Sequence, residues 1–452
     1  MKQKNSFSGK LGFILAAAGS AVGLGNLWRF PYLAAKYGGG TFLLIYLVLA
    51  VTFGFALLIS EIAIGRKTGK SALYAFKKLD KKWGFVGILA SVVPIIILPY
   101  YSVIGGWVVK YAGVYLSGKT INESNADAYF GDFISSSTEP LVWLAIFVVA
   151  TMIIILMGVN KGIENMSKIL MPLLVLLSVV IAVFVVTRDG AGVGLEYYLK
   201  PDFSKLSVNA FLAAAGQLFY SMSLAMGIMI TYGSYLPKDE DIESSVRNIE
   251  LFDTLIAFLA GLMIVPAVFI FSGGDESVLK AGPTLMFIIL PKVFSTMAGG
   301  KIIGAAFFIL VFFAALTSAI SLMETIVSIF VDKTGKSRKF LTICITIYTI
   351  IMAIPSSLGF GVLSDISVNG MSILDMFDFV SNSIIMPIVA LFTCIFIGFI
   401  IKPKAIIDEV MKSTKKFKSE KLYVVLIKYI APVLLVLILI SSILNALGII
   451  SL

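Results

Sequence analysis

The sequence contains no histidine, only two cysteines, and charged side chains at just 14% of its 452 positions. Each scarcity closes off a chemistry. Without imidazole there is no histidine general base and no histidine metal site. Cys344 and Cys394 each lie inside a long apolar run, so neither a disulfide framework nor a thiolate-metal site is available. The low charge accompanies 59% hydrophobic residues, far outside the range of a soluble domain. No large segment lies outside the apolar runs to house a catalytic domain, and no enzyme is expected. Serine or acidic chemistry alone stays open on residue content.

What the chain has instead is apolar length. A spanning helix takes about 20 apolar residues. Candidate spans 1 to 11 cover 11–36, 40–65, 84–117, 139–157, 166–187, 207–236, 247–271, 301–331, 339–356, 371–400 and 421–449. The expected fold class is an all-α integral membrane protein of eleven transmembrane helices, forming one domain over 1–452. The net charge of +10 sorts by loop rather than forming a patch, so no nucleic-acid partner is expected. Loop 66–82 holds seven basic residues, 401–418 six and 333–339 four, against one in 118–139 and none in 357–374. The positive-inside rule puts the first group in the cytoplasm. The N-terminus is then cytoplasmic, the C-terminus extracellular, and the protein multi-pass in the cell membrane. Lys2, Lys4 and Lys10 ahead of an apolar run imitate a signal peptide. Asn26 and Arg29 fit that poorly, and the segment is read as uncleaved.

Residues 19–31, GSAVGLGNLWRFP, interrupt span 1. Glycine is a poor helix-interior residue, so the backbone can leave helical geometry at 22–26. Irregular backbone at membrane depth is tolerated only where it is buried in protein or lines a cavity. Span 6 has a corresponding interruption, where Gln217, Ser221, Ser223 and Gly227 break an apolar run. Span 6 opens a second set of five spans as span 1 opens the first. Matching breaks in two halves point to a site between inverted repeats, 1–187 and 207–400, with 421–449 as an extra helix. The string LAAAG recurs at 15–19 and 212–216, which alanine-rich coincidence explains as well as ancestry does.

Single polar residues mark other spans. Glu61 in span 2 and Asp253 in span 7 are ionisable groups in the membrane, and Asp253 has no lysine in the core of neighbouring spans. A cation or a proton must compensate it. Tyr101 lies mid-span, so its hydroxyl needs a buried partner, and a ligand carboxylate would serve. Thr317 and Ser318 can back-bond to their own helix or complete an oxygen shell for a small hard cation. Nine residues separate Gly162 from Pro172, a segment that can unwind on the cytoplasmic side. Arg29 and Asp378 share a depth near the outer face and can pair. GRKTGKS at 65–71 has one residue too few for a phosphate loop and no preceding strand; residues 66–83 read as an amphipathic cytoplasmic helix.

Taken together these stretches resemble the neurotransmitter:sodium symporters, in particular the bacterial eleven-helix amino-acid transporters, over nearly the whole chain. The carriers are GSAVGLGNLWRFPYLAAKYGGG, EIAIGR, PYYSVIGGW, GQLFYSMSLAMGIMITYGSY, ALTS and LDMFDF. The resemblance implies symport of an amino acid with sodium by alternating access. It places a substrate between the broken helices. The carboxylate would meet the Gly25 amide and the Tyr101 hydroxyl. The amino group would meet carbonyls of Ala21, Tyr220 and Ser223. Leu24, Ile97, Tyr220, Ser221, Met226, Ser318 and Leu322 would complete a mostly apolar pocket, suited to a neutral hydrophobic or aromatic side chain. Two sodium ions are implied, one at Ala21, Asn26, Ser221 and Asp253, the other at Gly19, Val22, Ala314, Thr317 and Ser318. Arg29 with Asp378 would close the outer side, under which Tyr101 and Tyr220 form a lid. Lys4 with Asp332, flanked by Phe7 and Tyr235, would close the inner side. Glu61 would accept from amides of the unwound part of span 6.

Departures from the family pattern carry their own expectations. Lys4 and Phe7 stand where arginine and tryptophan are usual, which weakens the inner gate because lysine cannot form a bidentate pair. Ala257 replaces the serine of chloride-dependent members and Asp253 supplies a fixed charge, so chloride independence is expected. Ala225–Met226–Gly227 replaces Gly-x-Gly, which bears on the largest substrate accepted. The twelfth helix of many members is absent, so a monomer surrounded by membrane lipid suffices. Two other readings share the fold, a proton-coupled amino-acid transporter using Asp253 or Glu61 and a transport-silent amino-acid sensor.

Overall fold

The computed structural model describes residues 6–273, 284–368 and 370–446. The described chain is helical, with two isolated bridges, Gly39 to Pro201 and Val368 to Met371, and no strand. Nine helices in it are long and apolar enough to cross a membrane, and a tenth crossing is a bent pair. The bent pair is α1 (Lys10–Ala21) and α2 (Gly25–Lys36), set at 52°. Next come α3 (Gly40–Thr68), α4 (Lys81–Leu116), α5 (Glu139–Leu156) and α6 (Val159–Val186). The second half holds α7 (Val208–Ser221) and α8 (Ile228–Tyr235), then α9 (Ile242–Ser272) and α10 (Gly300–Thr334). It closes with α11 (Arg338–Leu358), α12 (Ile373–Ile400) and α13 (Glu420–Asn445).

Burial sorts these helices into a centre and a rim. The most apolar windows of α3 and α4 are 72% buried, that of α13 only 33%. Apolar side chains on α5, α6, α11 and α13 point outward, as a lipid-facing ring does. At the centre α1 packs against α6, α9 and α10, and α8 packs against α3.

Both breaks fall inside the stretches the sequence marks. After Ala21 the chain turns extended at Val22 (ψ 102°), whose N–H still closes on the Ala18 carbonyl at 2.7 Å. A wide turn over Gly25–Arg29 restarts the helix. Gly25 is required by space, because a Cβ there would lie 2.5 Å from the Tyr220 ring. Between α7 and α8 the backbone alternates in hand, with positive φ at Ser223 (52°), Ala225 (60°) and Gly227 (71°). Two of these three are not glycine, so the segment holds strain that its surroundings must support.

Two boundaries differ from the sequence reading. Span 5 begins at Val159 rather than 166, because Gly158 (φ 88°) ends α5 and a wide turn, Val159–Glu164, leads straight into the helix. The stretch 66–83 is not one helix. α3 runs to Thr68, Gly69 turns left-handed, and the short helix Ala72–Leu79 follows with Ala72, Ala75 and Phe76 buried. Short helices Ala126–Ser135, Ala191–Leu199 and Lys404–Val410 in the connections lie outside the eleven apolar runs.

Candidate functional site

The two breaks face each other. The Ser223 hydroxyl donates to the Ser20 carbonyl at 2.9 Å and lies 3.1 Å from the Ser20 hydroxyl, which ties the broken ends together. The Gln217 amide donates to the Gly25 carbonyl at 2.9 Å, which also accepts from the Phe30 N–H in the wide turn. Between the breaks lies a small cavity of about 30 Å³. Ala21, Leu24, Gly25, Ile97, Tyr101, Tyr220, Ser221, Ser223, Met226, Ser318 and Leu322 all line it. These are the eleven residues the resemblance assigns to the substrate. Ser20, Gly23, Asn26 and Ile228 line it as well. Tyr101 is 4% exposed, and its hydroxyl has no hydrogen-bond partner of good geometry among the described residues, although Ser318 and the Leu24 backbone are near. The far wall, from Ile97 to Met226, Ile228 and Leu322, is apolar.

Glu61 is 2% exposed on α3. Its Oε1 accepts from the Ala225 N–H at 2.7 Å, while Oε2 has no partner. The carboxyl thus supports the strained turn from outside the cavity, at the place the sequence reading gives it.

A buried polar cluster sits beside the cavity. Asn26 donates to Asp253 Oδ1 at 2.8 Å and to Ser221 Oγ at 3.0 Å, while its own oxygen accepts from the Gly23 N–H at 3.0 Å. Ser221 Oγ donates to Asp253 Oδ1 at 2.5 Å. Tyr46 completes the group, its hydroxyl 2.8 Å from Asp253 Oδ2. Sequence reasoning passed over Tyr46, because a membrane tyrosine is most often interfacial or packed. Asp253 is fully buried and has no ion pair among the described residues.

A second set of oxygens gathers where α1 meets α10. Ser318 Oγ lies 3.1 Å from the Ser20 carbonyl and 3.4 Å from that of Val22. Thr317 Oγ1 donates to Phe313 and Ala314 carbonyls at 3.0 and 3.1 Å. Gly19 abuts Thr317, since a Cβ on it would come within 3.2 Å of that side chain. All five residues of the second expected ion set therefore meet at one junction. It holds neutral oxygens only, as a monovalent hard cation tolerates.

The closures differ from the sequence reading. Arg29 and Asp378 make no direct ion pair. Asp378 accepts instead from Tyr100 at 3.0 Å and Asn382 at 2.5 Å, and the Arg29 guanidinium lies over the Tyr220 ring, 5.6 Å from its centre. Both hydrogen bonds fall on Asp378 Oδ1. On the inner side Lys4 lies outside the described residues. Asp332 is engaged elsewhere, 3.5 Å from Lys70 and accepting from the Ser71 N–H at 2.9 Å. Phe7 and Tyr235 do meet. The Phe7 N–H donates to the Tyr235 carbonyl at 3.1 Å, and their rings are 6.2 Å apart.

A charged lock that the sequence reading missed lies beneath them. Glu324, fully buried on α10, accepts from Tyr235 at 2.8 Å and from both ends of the Arg338 guanidinium, one bond being 2.7 Å. The signal was available as a lone acid within an apolar run and a lone arginine at the mouth of the next. Nearby Glu164 accepts from the Ser8 N–H at 2.9 Å and pairs with Lys168 at 2.7 Å, which fastens the start of α1 to the wide turn that contains Gly162. Outside the spans, Glu409 gathers Arg66 at 3.0 Å, Lys412 at 2.6 Å and Lys238 at 3.3 Å. Burial raises its carboxyl, but the Lys412 hydrogen bond and the Lys238 and Arg66 charges outweigh that and hold it below the ordinary range.

Two broken helices around a cavity, with a buried carboxylate beside it, have the arrangement of a solute carrier. The chain belongs to the sodium:neurotransmitter symporter family, whose model matches residues 4–125 and 128–449. It is therefore a sodium-dependent transporter and not an enzyme. It is 35% identical to an uncharacterised sodium-dependent transporter of Bacillus subtilis, YhdH, over 98% of both chains. It is 34% identical to another of Haemophilus influenzae, again over 98% of both. Among solved structures, MhsT in complex with L-phenylalanine superimposes with a TM-score of 0.89 at 38% identity, covering 97% of this chain and 100% of that one.

Proposed function

We propose that the protein imports a neutral, hydrophobic or aromatic L-amino acid together with sodium by alternating access, without chloride. The observation that carries this reading is the cavity between the two breaks, apolar at one end and offering the unpartnered Tyr101 hydroxyl at the other. A carboxylate fits that hydroxyl and the Gly25 amide. An ammonium fits carbonyls of Ala21, Tyr220 and Ser223. MhsT, similar over its whole length, is solved with L-phenylalanine, which has this shape and polarity.

Two sodium ions fit the oxygen sets. The first takes Ala21, Asn26, Ser221 and Asp253; a half-turn of the Asn26 amide presents its oxygen there. The second takes Gly19, Val22, Ala314, Thr317 and Ser318. Asp253 supplies a fixed negative charge beside the first ion, and Ala257 one turn on offers no hydroxyl, which favours chloride independence. Ser221 and Asn26 border both the first ion set and the cavity, so each ligand favours the state the other needs. Counting α7 and α8 as one interrupted crossing gives eleven spans, arranged as two five-span repeats of opposite orientation plus α13. The basic loops then face the cytoplasm, as does the N-terminus.

The test is uptake of a panel of labelled amino acids into proteoliposomes, with sodium replaced by potassium at fixed pH and chloride replaced by gluconate. Uptake of apolar amino acids is expected with sodium alone. Uptake that persists in potassium and follows a proton gradient would instead mean proton coupling, and binding without flux would mean a sensor. Asp253→Ala is expected to abolish the sodium dependence. If it leaves sodium-driven uptake unchanged, the first ion set is wrong.

A further inference from the structure

Two intramembrane lysines receive opposite treatment in this fold. Lys110 of α4 closes on Glu139 at 2.8 Å and stands 3.8 Å from the centre of the Phe133 ring. Lys428 of α13 has no carboxylate. It lies in the wide turn Leu426–Ile430, eight residues past Glu420, or about 12 Å along the helix at ~1.5 Å per residue. Among the described residues it makes no hydrogen bond and no ion pair. Its contacts are aromatic, with the ammonium 5.6 Å from the centre of the Phe399 ring on α12 and 5.3 Å from that of Tyr429. Gly398 lies at the contact between the two helices, where a Cβ would meet Lys428 at ordinary packing distance.

The groove opens outward. Phe399 is 52% exposed and Tyr429 56%, with Val425, Ile400 and Ile430 open beside them. An exposed apolar surface on a span faces lipid. A bare ammonium there is costly, and two aromatic rings offset only part of the cost. A lysine in this position extends toward the headgroup layer, where phosphate is the available anion. A second cation stands at the end of the neighbouring helix. Lys402, just past the end of α12, is exposed, has no partner among the described residues, and holds a left-handed backbone at φ 63°.

We propose that the groove between α12 and α13 binds one anionic phospholipid of the inner leaflet, its phosphate on Lys428 and its headgroup, which carries no ammonium, toward Lys402. Phe399 and Tyr429 lie against its glycerol and upper acyl segments. A zwitterionic lipid is disfavoured, because its own ammonium would face Lys402. Only the choice of leaflet rests on the orientation proposed above, so this site stands or falls apart from the transport reading.

The experiment uses the purified full chain in detergent, with native mass spectrometry and thermal melts. The probes are phosphatidylglycerol, phosphatidylcholine of the same acyl chains, and inorganic phosphate. Phosphatidylglycerol is expected to remain bound and raise the melting temperature, while the other two do neither. Leucine suits a lipid-facing surface, so Lys428→Leu is expected to fold and to weaken phosphatidylglycerol binding about fivefold. Lys402→Gln gives a second loss, Lys428→Arg retains binding, and Lys81→Gln, an exposed cation elsewhere, changes nothing. Equal retention by Lys428→Leu overturns the proposal. So does equal binding of phosphatidylcholine, or an equal shift with inorganic phosphate alone.

Discussion

Among the described residues the enclosed Tyr101 hydroxyl has no hydrogen bond of good geometry, although Ser318 and the Leu24 backbone are near; an unmet buried hydroxyl costs about 1–3 kcal/mol. A structure retains such a group when a ligand completes it. Tyr101→Phe is accordingly expected to leave the empty protein as stable as before or slightly more so. Substrate binding should weaken roughly 10- to 100-fold, the loss of one hydrogen bond to a charged group. Equilibrium binding beside a thermal melt separates the two effects; unchanged affinity would remove Tyr101 from the carboxylate site. The same scale shows where sequence reading reaches its limit. Tyr101 stood out because it lies mid-span beside prolines. Tyr46 did not, since nothing in its local sequence tells that α9 will bring Asp253 within 2.8 Å of it. Asp378 and Arg29 had the right depth, yet Tyr100, one residue before the tyrosine singled out, takes the carboxylate.

Elements were legible where polarity interrupts apolarity. Glycine, serine and glutamine inside a run have few reasons to be there other than a break, and both breaks lie where those residues stand. The hand of the backbone was not legible, because Ser223 and Ala225 are ordinary in helices and adopt positive φ only under tertiary support. Ala225→Val should therefore be severe, since a β-branched residue at φ 60° is strained. Ala225→Gly should keep fold and uptake and broaden the range of side chains accepted. Competition by amino acids of graded size measures this. The inner closure also belongs to this scale. Glu324→Gln keeps the Tyr235 contact but loses the charge opposite Arg338, so α8 should open more often. Alkylation of a single cysteine placed near Phe7 should become faster by up to roughly 10- to 100-fold, since a hydrogen bond to a charged group is worth about 1.5–3 kcal/mol. An unchanged rate would reduce Glu324–Arg338 to packing.

Across the whole molecule, composition fixed the membrane class, and loop charge suggested the orientation. Long-range ion clusters were beyond reach, because partners such as Arg66 and Glu409 are 343 positions apart. That cluster predicts a pH response. Glu409 is held below the ordinary carboxylate range, so its stabilisation is complete above the unfolded value, roughly 4.3, and is lost as pH falls through the folded one. Melting temperature should drop on acidification below about pH 4. Glu409→Gln should start lower at neutral pH and fall less over the same interval. A parallel decline in both proteins would assign the acid sensitivity elsewhere.

The alternating turn at 223–227 has one more consequence. A chain that switches hand at every other residue collects successive N–H groups on one side and forms a concave receptor for an anion. In this protein a carboxyl group is built in, because Glu61 already accepts from the Ala225 N–H. The broken helix is thus a polarity sorter. Its positive side is filled permanently from α3, which leaves carbonyl oxygens as the backbone groups a solute can use. On the reading proposed above, Tyr220 and Ser223 carbonyls, with Ala21 of α1 beside them, would take the ammonium end of an amino acid, and Gly25 with Tyr101 its carboxylate end, which favours one orientation of entry.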